Sequence, residues 1–305
     1  MRILITGGAG FIGSHLAEYY LNKNEDVVVI DNLITGKKEN LPEDPKLNFI
    51  KADINDNPKI DGPFDIIFHL ASPASPKDYL DFPIETMTTG SIGTINTLEW
   101  ARDFECRYIF ASTSEVYGDP SVHPQDESYF GNVNPIGPRS VYDEAKRFGE
   151  AITSAYRRRY GLKTTIIRIF NTYGPRMKKT DGRAVPTFVE QAIKDKSITI
   201  FGDGSQTRSF CYIDDLIRAI IKISQIDHPG PVNLGNPTEY TILELAKLII
   251  KLTNSKSKIT YQSLPEDDPQ RRCPDIKLAQ SLIDWQPQVS LEDGLKRYVG
   301  WVKNI

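Results

Sequence analysis

The chain begins with Arg2-Ile-Leu-Ile-Thr6, continues with Gly7-Gly-Ala-Gly-Phe-Ile-Gly13, and reaches Asp26-Val-Val-Val-Ile-Asp31 after a helical pattern. Both apolar runs are continuous, as in strands of a parallel sheet that is covered on both faces. The glycines between them predict a tight turn, and Phe11 to Lys23 has the pattern of an amphipathic helix. The order of strand, glycine turn, helix and strand predicts the first unit of a parallel α/β sheet.

Four more apolar segments have the length of strands, and helical patterns separate several of them. The strand segments are Leu47 to Lys51, Asp65 to His69, Tyr108 to Ala111 and Thr164 to Ile169. The helical patterns cover Ile84 to Arg102 and Val141 to Tyr160. This alternation predicts an α/β fold built on a doubly wound parallel sheet.

The pattern of the sequence changes after about Phe170, where glycine and proline turns separate shorter elements. We therefore expect two domains. Residues 1–170 form the sheet domain, and residues 171–305 mainly form a smaller C-terminal domain. Residues 212–234 are expected to return and pack on the first domain.

The composition argues against several classes of partner. The 305 residues include 37 basic and 40 acidic ones, so neither a nucleic-acid-binding nor a membrane-binding surface is expected. Cys106, Cys211 and Cys273 fit reduced thiols rather than a disulfide framework. No apolar run has the roughly 18 residues that span a bilayer, and the N-terminus lacks the pattern of a signal peptide. We expect a cytoplasmic protein without a resident metal.

The glycine turn and the acidic residue that ends the second strand predict a dinucleotide site. Gly8, Gly10 and Gly13 open the first helix, where missing side chains let a pyrophosphate approach the helix N-terminus. Asp31 ends the second strand, where a carboxylate can accept hydrogen bonds from the adenosine ribose and repels a 2'-phosphate. NAD is therefore favoured over NADP, and the first domain is expected to bind it. The cofactor-binding residues that we predict are Gly7, Gly10, Phe11, Ile12, Gly13, Asp31, Asn32, Thr35, Gly36, Asp53, Ile54, Leu70, Ala71, Ser72, Ala111, Tyr142, Lys146 and Thr172.

Tyr142 and Lys146 are four residues apart, so a helix places both on one face. The lysine charge favours the phenolate and is expected to lower the phenol pKa from about 10. A phenolate near neutral pH can take the proton of a sugar hydroxyl while a nicotinamide takes the hydride. Thr113 follows a predicted strand, at the sheet edge where open α/β folds bind ligands, so its hydroxyl could bond the same sugar oxygen. Turn formation is the alternative for Thr113 and its serine neighbours.

Longer motifs carry a resemblance to a known family. They are His69-Leu-Ala-Ser-Pro-Ala-Ser-Pro76, Ala111-Ser-Thr-Ser-Glu-Val-Tyr-Gly-Asp-Pro120, Asn134-Pro-Ile-Gly-Pro-Arg139, Tyr142 to Lys146, Arg168-Ile-Phe-Asn-Thr-Tyr-Gly-Pro-Arg176, Gly204-Ser-Gln-Thr-Arg208 and Asp268-Pro-Gln-Arg-Arg-Cys-Pro-Asp-Ile276. With them the chain resembles the extended short-chain dehydrogenase/reductase superfamily, which has a Rossmann domain and a smaller substrate-binding domain. Within that superfamily it is similar to the UDP-glucuronate decarboxylase (UDP-xylose synthase) family, over nearly its whole length.

The resemblance implies a redox-neutral decarboxylation of UDP-glucuronate to UDP-xylose through a 4-keto intermediate. Tyr142, assisted by Thr113 and Lys146, would deprotonate the C4 hydroxyl as NAD accepts the C4 hydride. The resulting β-keto acid would lose carbon dioxide, and NADH would then reduce C4. The cofactor would thus be regenerated in each turnover.

The resemblance also implies roles for residues outside this set. Glu115, Ser114 and Arg272 would lie near C5 and the carboxylate, complete the catalytic set, and support reprotonation. The implied substrate-binding residues are Asn171, Arg183, Arg208 and Arg272. For Arg272 a surface position in a loop is the alternative, and for the others a structural ion pair or a turn contact.

Two other functions compete with decarboxylation. A UDP-sugar or UDP-uronate 4-epimerase shares the first oxidation step, although Glu115 would have little to do in it. A 4,6-dehydratase is disfavoured, since relatives of that kind have an aspartate where this chain has Ser114, and a serine hydroxyl is too weak an acid for that role. A non-catalytic NAD-binding regulator is the alternative from another class, and the intact Thr113, Tyr142 and Lys146 argue against it.

Some features depart from the family pattern or extend it. Family members usually carry Lys-Thr-Asn where this chain has Thr88-Thr89-Gly90, and Lys178 stands where animal relatives often have histidine. Relatives also pair through their two long helices, so we expect a homodimer formed by Ile84 to Arg102 and Val141 to Tyr160.

Overall fold

The computed structural model describes residues 1–264 and 271–304. Its strands are β1 (Arg2–Thr6), β2 (Asp26–Asp31), β3 (Leu47–Lys51), β4 (Ile66–His69), β5 (Arg107–Thr113), β6 (Thr164–Ile169), β7 (Thr172–Tyr173), β8 (Ile198–Phe201), β9 (Thr207–Ser209), β10 (Cys211–Tyr212), β11 (Pro231–Leu234), β12 (Glu239–Thr241), β13 (Ile259–Gln262) and β14 (Arg271–Arg272). Its α-helices are α1 (Phe11–Asn22), α2 (Pro76–Asp81), α3 (Pro83–Thr88), α4 (Thr94–Asp103), α5 (Ser140–Tyr160), α6 (Ala184–Ile193), α7 (Ile213–Ser224), α8 (Ile242–Thr253), α9 (Lys277–Ile283) and α10 (Leu291–Lys303).

Seven parallel strands form the main sheet, in the order β3-β2-β1-β4-β5-β6-β11. The strand order reverses direction between β1 and β4, which is where open α/β sheets bind ligands beyond their carboxyl ends. The prediction of a doubly wound parallel sheet is confirmed. The strand β11 pairs with β6, and α7 packs against α1, so both elements lie with this sheet.

The central strand shows why the sheet is covered on both faces. Successive side chains of a strand point to opposite faces. Ile3 and Ile5 enter one core, together with Leu16 of α1, whereas Leu4 enters the other, together with Leu98 of α4. The continuous apolar pattern of β1 therefore reflects two separate layers of helices.

The segment expected to form one helix from Ile84 to Arg102 is interrupted. Here α3 is followed by a π-helical segment, Thr89–Gly93, and then by α4. The segment packs closely on its neighbours: a Cβ at Gly90 would lie 2.6 Å from the Cβ of Ala145, and one at Gly93 would lie 2.6 Å from Ile54 Cδ1. A π segment widens the helix locally, and such segments are frequent at functional sites.

The C-terminal part contains short sheets that bring distant segments together. In one of them β9 pairs with both β12 and β14. The register of β9 with β14 sets Arg272 opposite Arg208. Within the described residues, no helix is both long enough and apolar enough to cross a membrane.

Candidate active site

A single large cavity of about 1110 Å³ lies at the carboxyl ends of the sheet strands and extends to the smaller domain. Every residue that the sequence assigned to cofactor, substrate or catalysis lines it. Of the motif from Asp268 to Ile276, Asp268, Pro269 and Gln270 lie outside the described residues. The fold therefore assembles residues that are up to about 260 positions apart in the chain into one site.

The glycine turn after β1 leaves no space for side chains. Gly7 has φ +70°, and a Cβ there would lie 2.7 Å from the Ala71 backbone. A Cβ at Gly13 would lie 2.4 Å from the Gly7 carbonyl oxygen. The helix α1 that follows has no side-chain cap and no acidic residue in its first turn, so its N-terminal amides can bind an anion. This cradle fits the pyrophosphate of a dinucleotide.

Asp31 lies at the end of β2 and is buried beside this turn. Its carboxylate accepts hydrogen bonds from the backbone amides of Ala9, at 3.0 Å, and Leu33, at 2.8 Å. Burial raises its pKa, and these two amide hydrogen bonds oppose the rise. A carboxylate has about four lone-pair sites, so Asp31 keeps capacity for ribose hydroxyls while it joins the glycine turn to the following loop.

Asp53 follows β3 and has clear contacts with its own loop. One carboxylate oxygen accepts from the Asn55 amide, at 2.8 Å, and the other from Asn32 Nδ2, at 2.9 Å. Asn32 in turn accepts from the Ile34 amide. These contacts hold together the two loops that border the cavity beside Asp31.

Thr113, Tyr142 and Lys146 meet where β5 ends against α5. The Thr113 hydroxyl acts to lower the pKa of Tyr142, and the Tyr142 ring stacks on Tyr79 at 5.2 Å between centroids. The Lys146 ammonium donates to the Ala111 carbonyl, at 2.8 Å, and lies 5.8 Å from the centre of the Tyr142 ring. All three catalytic candidates are buried.

Burial changes the acid strength of this pair in a way that the spacing alone did not predict. The sequence led us to expect a lowered phenol pKa, but burial raises the pKa of Tyr142. The same burial lowers the pKa of Lys146 to about 7. The reason is that desolvation disfavours both the phenolate of Tyr142 and the ammonium of Lys146. The Lys146 ammonium also donates its hydrogen bond to a carbonyl, that of Ala111.

Glu115 lies between two arginines at the wall of the cavity. Its carboxylate pairs with Arg272 through one oxygen and with Arg139 through the other. Burial opposes ionisation, but the charges of Arg272 and Arg139 outweigh it and hold the pKa of Glu115 at about 2. Glu115 is therefore an anion throughout the neutral range.

The contacts of Arg272 limit what it can do for a substrate. One terminal nitrogen pairs with Glu115, and the other donates to the Gly118 carbonyl at 2.9 Å. Nε is buried and has no hydrogen-bond partner among the described residues. The surface position considered for Arg272 is wrong, since its side chain is only 4% exposed.

Other cationic side chains line the part of the cavity toward the smaller domain. Arg183 forms a two-bond pair with Asp181, and Lys178 bonds both carboxylate oxygens of Asp78 at 3.1 Å. Arg208 donates to the Thr207 carbonyl. Arg183 and Lys178 are thus each paired with a carboxylate at the cavity wall.

Two residues of the site had no assigned role in the sequence analysis. Arg139 pairs with Glu115, and Asp143 is buried next to it in α5. Both occur within or between quoted motifs, which is the only signal that the sequence offered. Arg272, which reaches the site from β14, shares Glu115 with Arg139 and lines a cavity with Asp143.

His123, Glu239 and Cys273 have potential metal-ligand atoms within 4.8 Å of one another. Protein contacts occupy His123 Nε2, Glu239 and Cys273, whereas His123 Nδ1 is buried without a hydrogen-bond partner among the described residues. Glu239 accepts from His123 at 2.9 Å and from the Thr207 hydroxyl, and the Cys273 thiol contacts the Pro237 carbonyl at 3.3 Å. Burial raises the pKa of Cys273 to about 12, which disfavours the thiolate that a metal needs.

Comparison with known proteins agrees with this geometry. Residues 3–235 match the NAD dependent epimerase/dehydratase family. Over the whole chain, the sequence is 46% identical to UDP-glucuronic acid decarboxylase 1 of Arabidopsis thaliana, of which it covers 70%. It is 48% identical, over 98% of the chain, to UDP-glucuronic acid decarboxylase 1 of Danio rerio, of which it covers 72%.

Solved structures with the same fold include other nucleotide-sugar enzymes. UDP-glucose 4-epimerase of Thermotoga maritima, determined with UDP-glucose, matches with a TM-score of 0.91 at 31% identity, covering 100% of this chain and 99% of that one. A dTDP-glucose 4,6-dehydratase of Streptomyces venezuelae, determined with NAD bound, matches with a TM-score of 0.89 at 29% identity, covering 100% and 97%. The chain belongs to the NAD dependent epimerase/dehydratase family and, within it, to the UDP-glucuronic acid decarboxylases.

Proposed function

We propose that this protein converts UDP-glucuronate to UDP-xylose and carbon dioxide, with NAD as its cofactor. The observation that carries the proposal is the partly buried anion Glu115, held by Arg139 and Arg272 in the cavity that Thr113, Tyr142 and Lys146 also line. The names of the full-length relatives support the same reaction. They do not favour the 4-epimerase alternative.

The cofactor would be held by the glycine turn, with Asp31 on the adenosine ribose. When bound, NAD supplies a positively charged hydride acceptor that takes the C4 hydride and later returns it. The residues of the chain handle the protons. Tyr142 takes the proton of the C4 hydroxyl, while Thr113, which lines the same cavity, orients the same sugar oxygen.

Loss of carbon dioxide requires a ketone at C4, because the electrons of the C5–C6 bond must delocalise onto it. Glu115 and Ser114 flank this position. The carboxylate of Glu115 pairs with Arg139 and Arg272, so these two cations are not free to stabilise the substrate carboxylate over the neutral carbon dioxide that forms. Both terminal nitrogens of Arg272 bond to protein groups. Arg272 therefore binds the substrate carboxylate weakly and does not oppose the release of carbon dioxide.

Substrate binding would use the cations of the smaller domain. Arg183 and Arg208 face the cavity, and Asn171 lies between β6 and β7. We propose that these residues hold the UDP diphosphate and neighbouring groups. Of the departure at Thr88-Thr89-Gly90, Thr89 lines the same cavity.

The test is incubation of the purified protein with UDP-glucuronate and NAD, with products followed by proton NMR and carbon dioxide trapped. We expect UDP-xylose and one carbon dioxide for each substrate consumed. The Tyr142→Phe variant should abolish both gas release and C4 oxidation, while Tyr261→Phe, at an exposed tyrosine, should retain activity. UDP-galacturonate without gas would overturn the proposal in favour of an epimerase.

We also propose a homodimer and a cytoplasmic location. The dimer is supported by apolar side chains that α3 and α5 expose: Ile84 is 70% exposed, and Met87 and Phe148 are each 41% exposed. The location is supported by the three cysteines, all of which are buried as free thiols.

A further inference from the structure

Decarboxylation consumes a proton, and the site must deliver it to C5. If the proposed function holds, the carboxylate leaves as carbon dioxide, the C5–C6 electron pair moves into a C4–C5 enolate, and C5 then gains a proton in place of C6. The hydride returns to C4, so this proton is the net uptake of each turnover. Tyr142 takes and returns the proton of the C4 oxygen, and a second group must therefore serve C5.

A second cavity lies behind the wall formed by the two arginines and Glu115. It measures about 260 Å³ and shares Glu115, Arg139 and Arg272 with the large cavity. On its other sides it is lined by the loop that follows β5, including Asp119, and by the segment around Val133. The carboxylate of Glu115 thus separates the reaction site from a smaller polar chamber.

Asp143 lies at this chamber. It follows Tyr142 in α5, its side chain is buried, and its Oδ1 has no hydrogen-bond partner among the described residues. The charged groups that act on it are Glu115, Arg139 and Arg272 from the wall and Glu144 from its own helix. A buried carboxyl oxygen without a protein partner is suited to exchange protons with water.

We propose that Asp143 is the proton-relay residue of the reaction, and that the second cavity carries protons from solvent through it to Glu115 and on to C5. Asp143 acts through Glu115 and does not touch the sugar. The relay hands on one proton in each turnover and is reloaded from water, so its own charge is restored.

Asp143 and Glu115 differ in pKa, and this difference gives each carboxyl group its own part in the relay. Burial and the nearby charge of Glu115 raise the pKa of Asp143 to about 7, so it carries a proton in a large share of molecules at neutral pH. Glu115, with a pKa of about 2, cannot store a proton but passes one on readily. Asp143 therefore stores the proton, and Glu115 is protonated only in passing.

The test isolates C5 protonation from decarboxylation by starting from the product. In deuterated water, enzyme with NAD oxidises UDP-xylose at C4, exchanges one C5 hydrogen of the ketone with solvent, and reduces C4 again. Proton NMR of UDP-xylose then reports the exchange rate, and the absorbance of reduced nicotinamide reports C4 oxidation. We expect Asp143→Asn to slow exchange by about tenfold or more while C4 oxidation changes little.

Matched variants keep the outcomes distinct. Asp119→Asn, at the exposed end of the same cavity, should exchange at the wild-type rate, and Asp143→Glu should recover part of the loss. If Asp143→Asn does not fold, Val133→Phe, which fills the cavity without changing the carboxyl group, should also slow exchange. Exchange at the wild-type rate in folded Asp143→Asn, or equal loss of oxidation and exchange, would overturn the relay. Absence of C4 oxidation and of decarboxylation in the wild type would instead overturn the proposed function on which the relay rests.

Discussion

Lys146 and Tyr142 are buried side by side, with the Lys146 ammonium 5.8 Å from the centre of the Tyr142 ring, and we treat their titration as that of a pair. The state with one proton removed has two forms, a phenolate beside an ammonium or a phenol beside an amine, and they cannot be separated by a titration. Burial lowers the pKa of Lys146 to about 7 and raises that of Tyr142. The pair therefore loses its first proton near pH 7, whichever residue carries the remaining one.

The pH dependence of the rate follows from this pair. As pH rises through about 7, the singly deprotonated form that contains the base becomes populated, so kcat/KM should increase with an apparent pKa near 7. The measurement is kcat/KM for UDP-glucuronate between mildly acidic and mildly basic pH. In Lys146→Met this inflection should disappear, and the rate should fall by about 100-fold. An unchanged inflection in that variant would assign the titration to another group.

Asp31 combines a structural and a binding role in one carboxylate. Asp31→Asn should keep the side-chain volume but lose the charge that accepts from ribose hydroxyls. Hydrogen bonds to charged groups contribute about 1.5–3 kcal/mol, so NAD binding should weaken about tenfold or more. Binding of NADP should weaken less, since repulsion of its 2'-phosphate is removed.

Calorimetric titration with each cofactor measures both effects. Asp26→Asn, at the exposed start of the same strand, is the control and should leave both affinities unchanged. If Asp31→Asn bound NAD as tightly as the wild type does, and NADP as tightly as the wild type does, the ribose contact would be rejected.

The long helix α5 depends on one glycine for its position. A Cβ at Gly149 would lie 2.2 Å from the Phe110 ring, so α5 packs directly on β5 at this point. The Lys146 ammonium lies over the same ring, 5.3 Å from its centre. The distance between helix and strand thus sets the position of the catalytic pair.

Gly149→Ala tests this packing against helix propensity. Alanine gains up to about 1 kcal/mol in a helix, whereas overpacking costs about 1–3 kcal/mol. Because the Phe110 ring lies where the new Cβ would be, the cost of overpacking should exceed the gain in helix propensity. The free energy of unfolding should therefore fall. Gly300→Ala in α10 is the matched control, because nothing lies within 4 Å of its Cβ position, and it should be stabilising. Chemical denaturation measures both, and stabilisation of Gly149→Ala would show that the helix can shift freely.

Local sequence patterns were sufficient to predict elements that residues close together in the chain determine. Leu47–Lys51 and Thr164–Ile169 form strands with the predicted bounds. The π segment was missed because Gly90 and Gly93 pack against other elements, and a periodic sequence pattern gives no information on such contacts.

The same limit applies to the site. The spacing of Tyr142 and Lys146 indicated their meeting, whereas the pair between Glu115 and Arg272 joins residues 157 positions apart and depends on the pairing of β14 with β9.

At the scale of the whole molecule, one surface stands apart. The helices α3 and α5 pack side by side, and both expose apolar side chains. Ile92, between α3 and α4, is 48% exposed and extends this surface. Contiguous exposed apolar surface on a folded protein marks an interaction site, and a second copy of the chain is the proposed partner.

Ile84→Glu tests the dimer with little risk to the fold. Ile84 is the second residue of α3, where a negative charge is favourable to the helix dipole, so the variant should fold normally. In a symmetric dimer the change places two charges in one apolar interface, and burial of unpaired charge is costly. We expect sedimentation equilibrium to give the mass of two chains for the wild type and of one chain for Ile84→Glu. Tyr261→Glu, which introduces the same charge at an exposed tyrosine of β13, should remain a dimer. A wild-type protein with the mass of one chain at working concentration would reject the interface, because the exposed face would then have no partner copy.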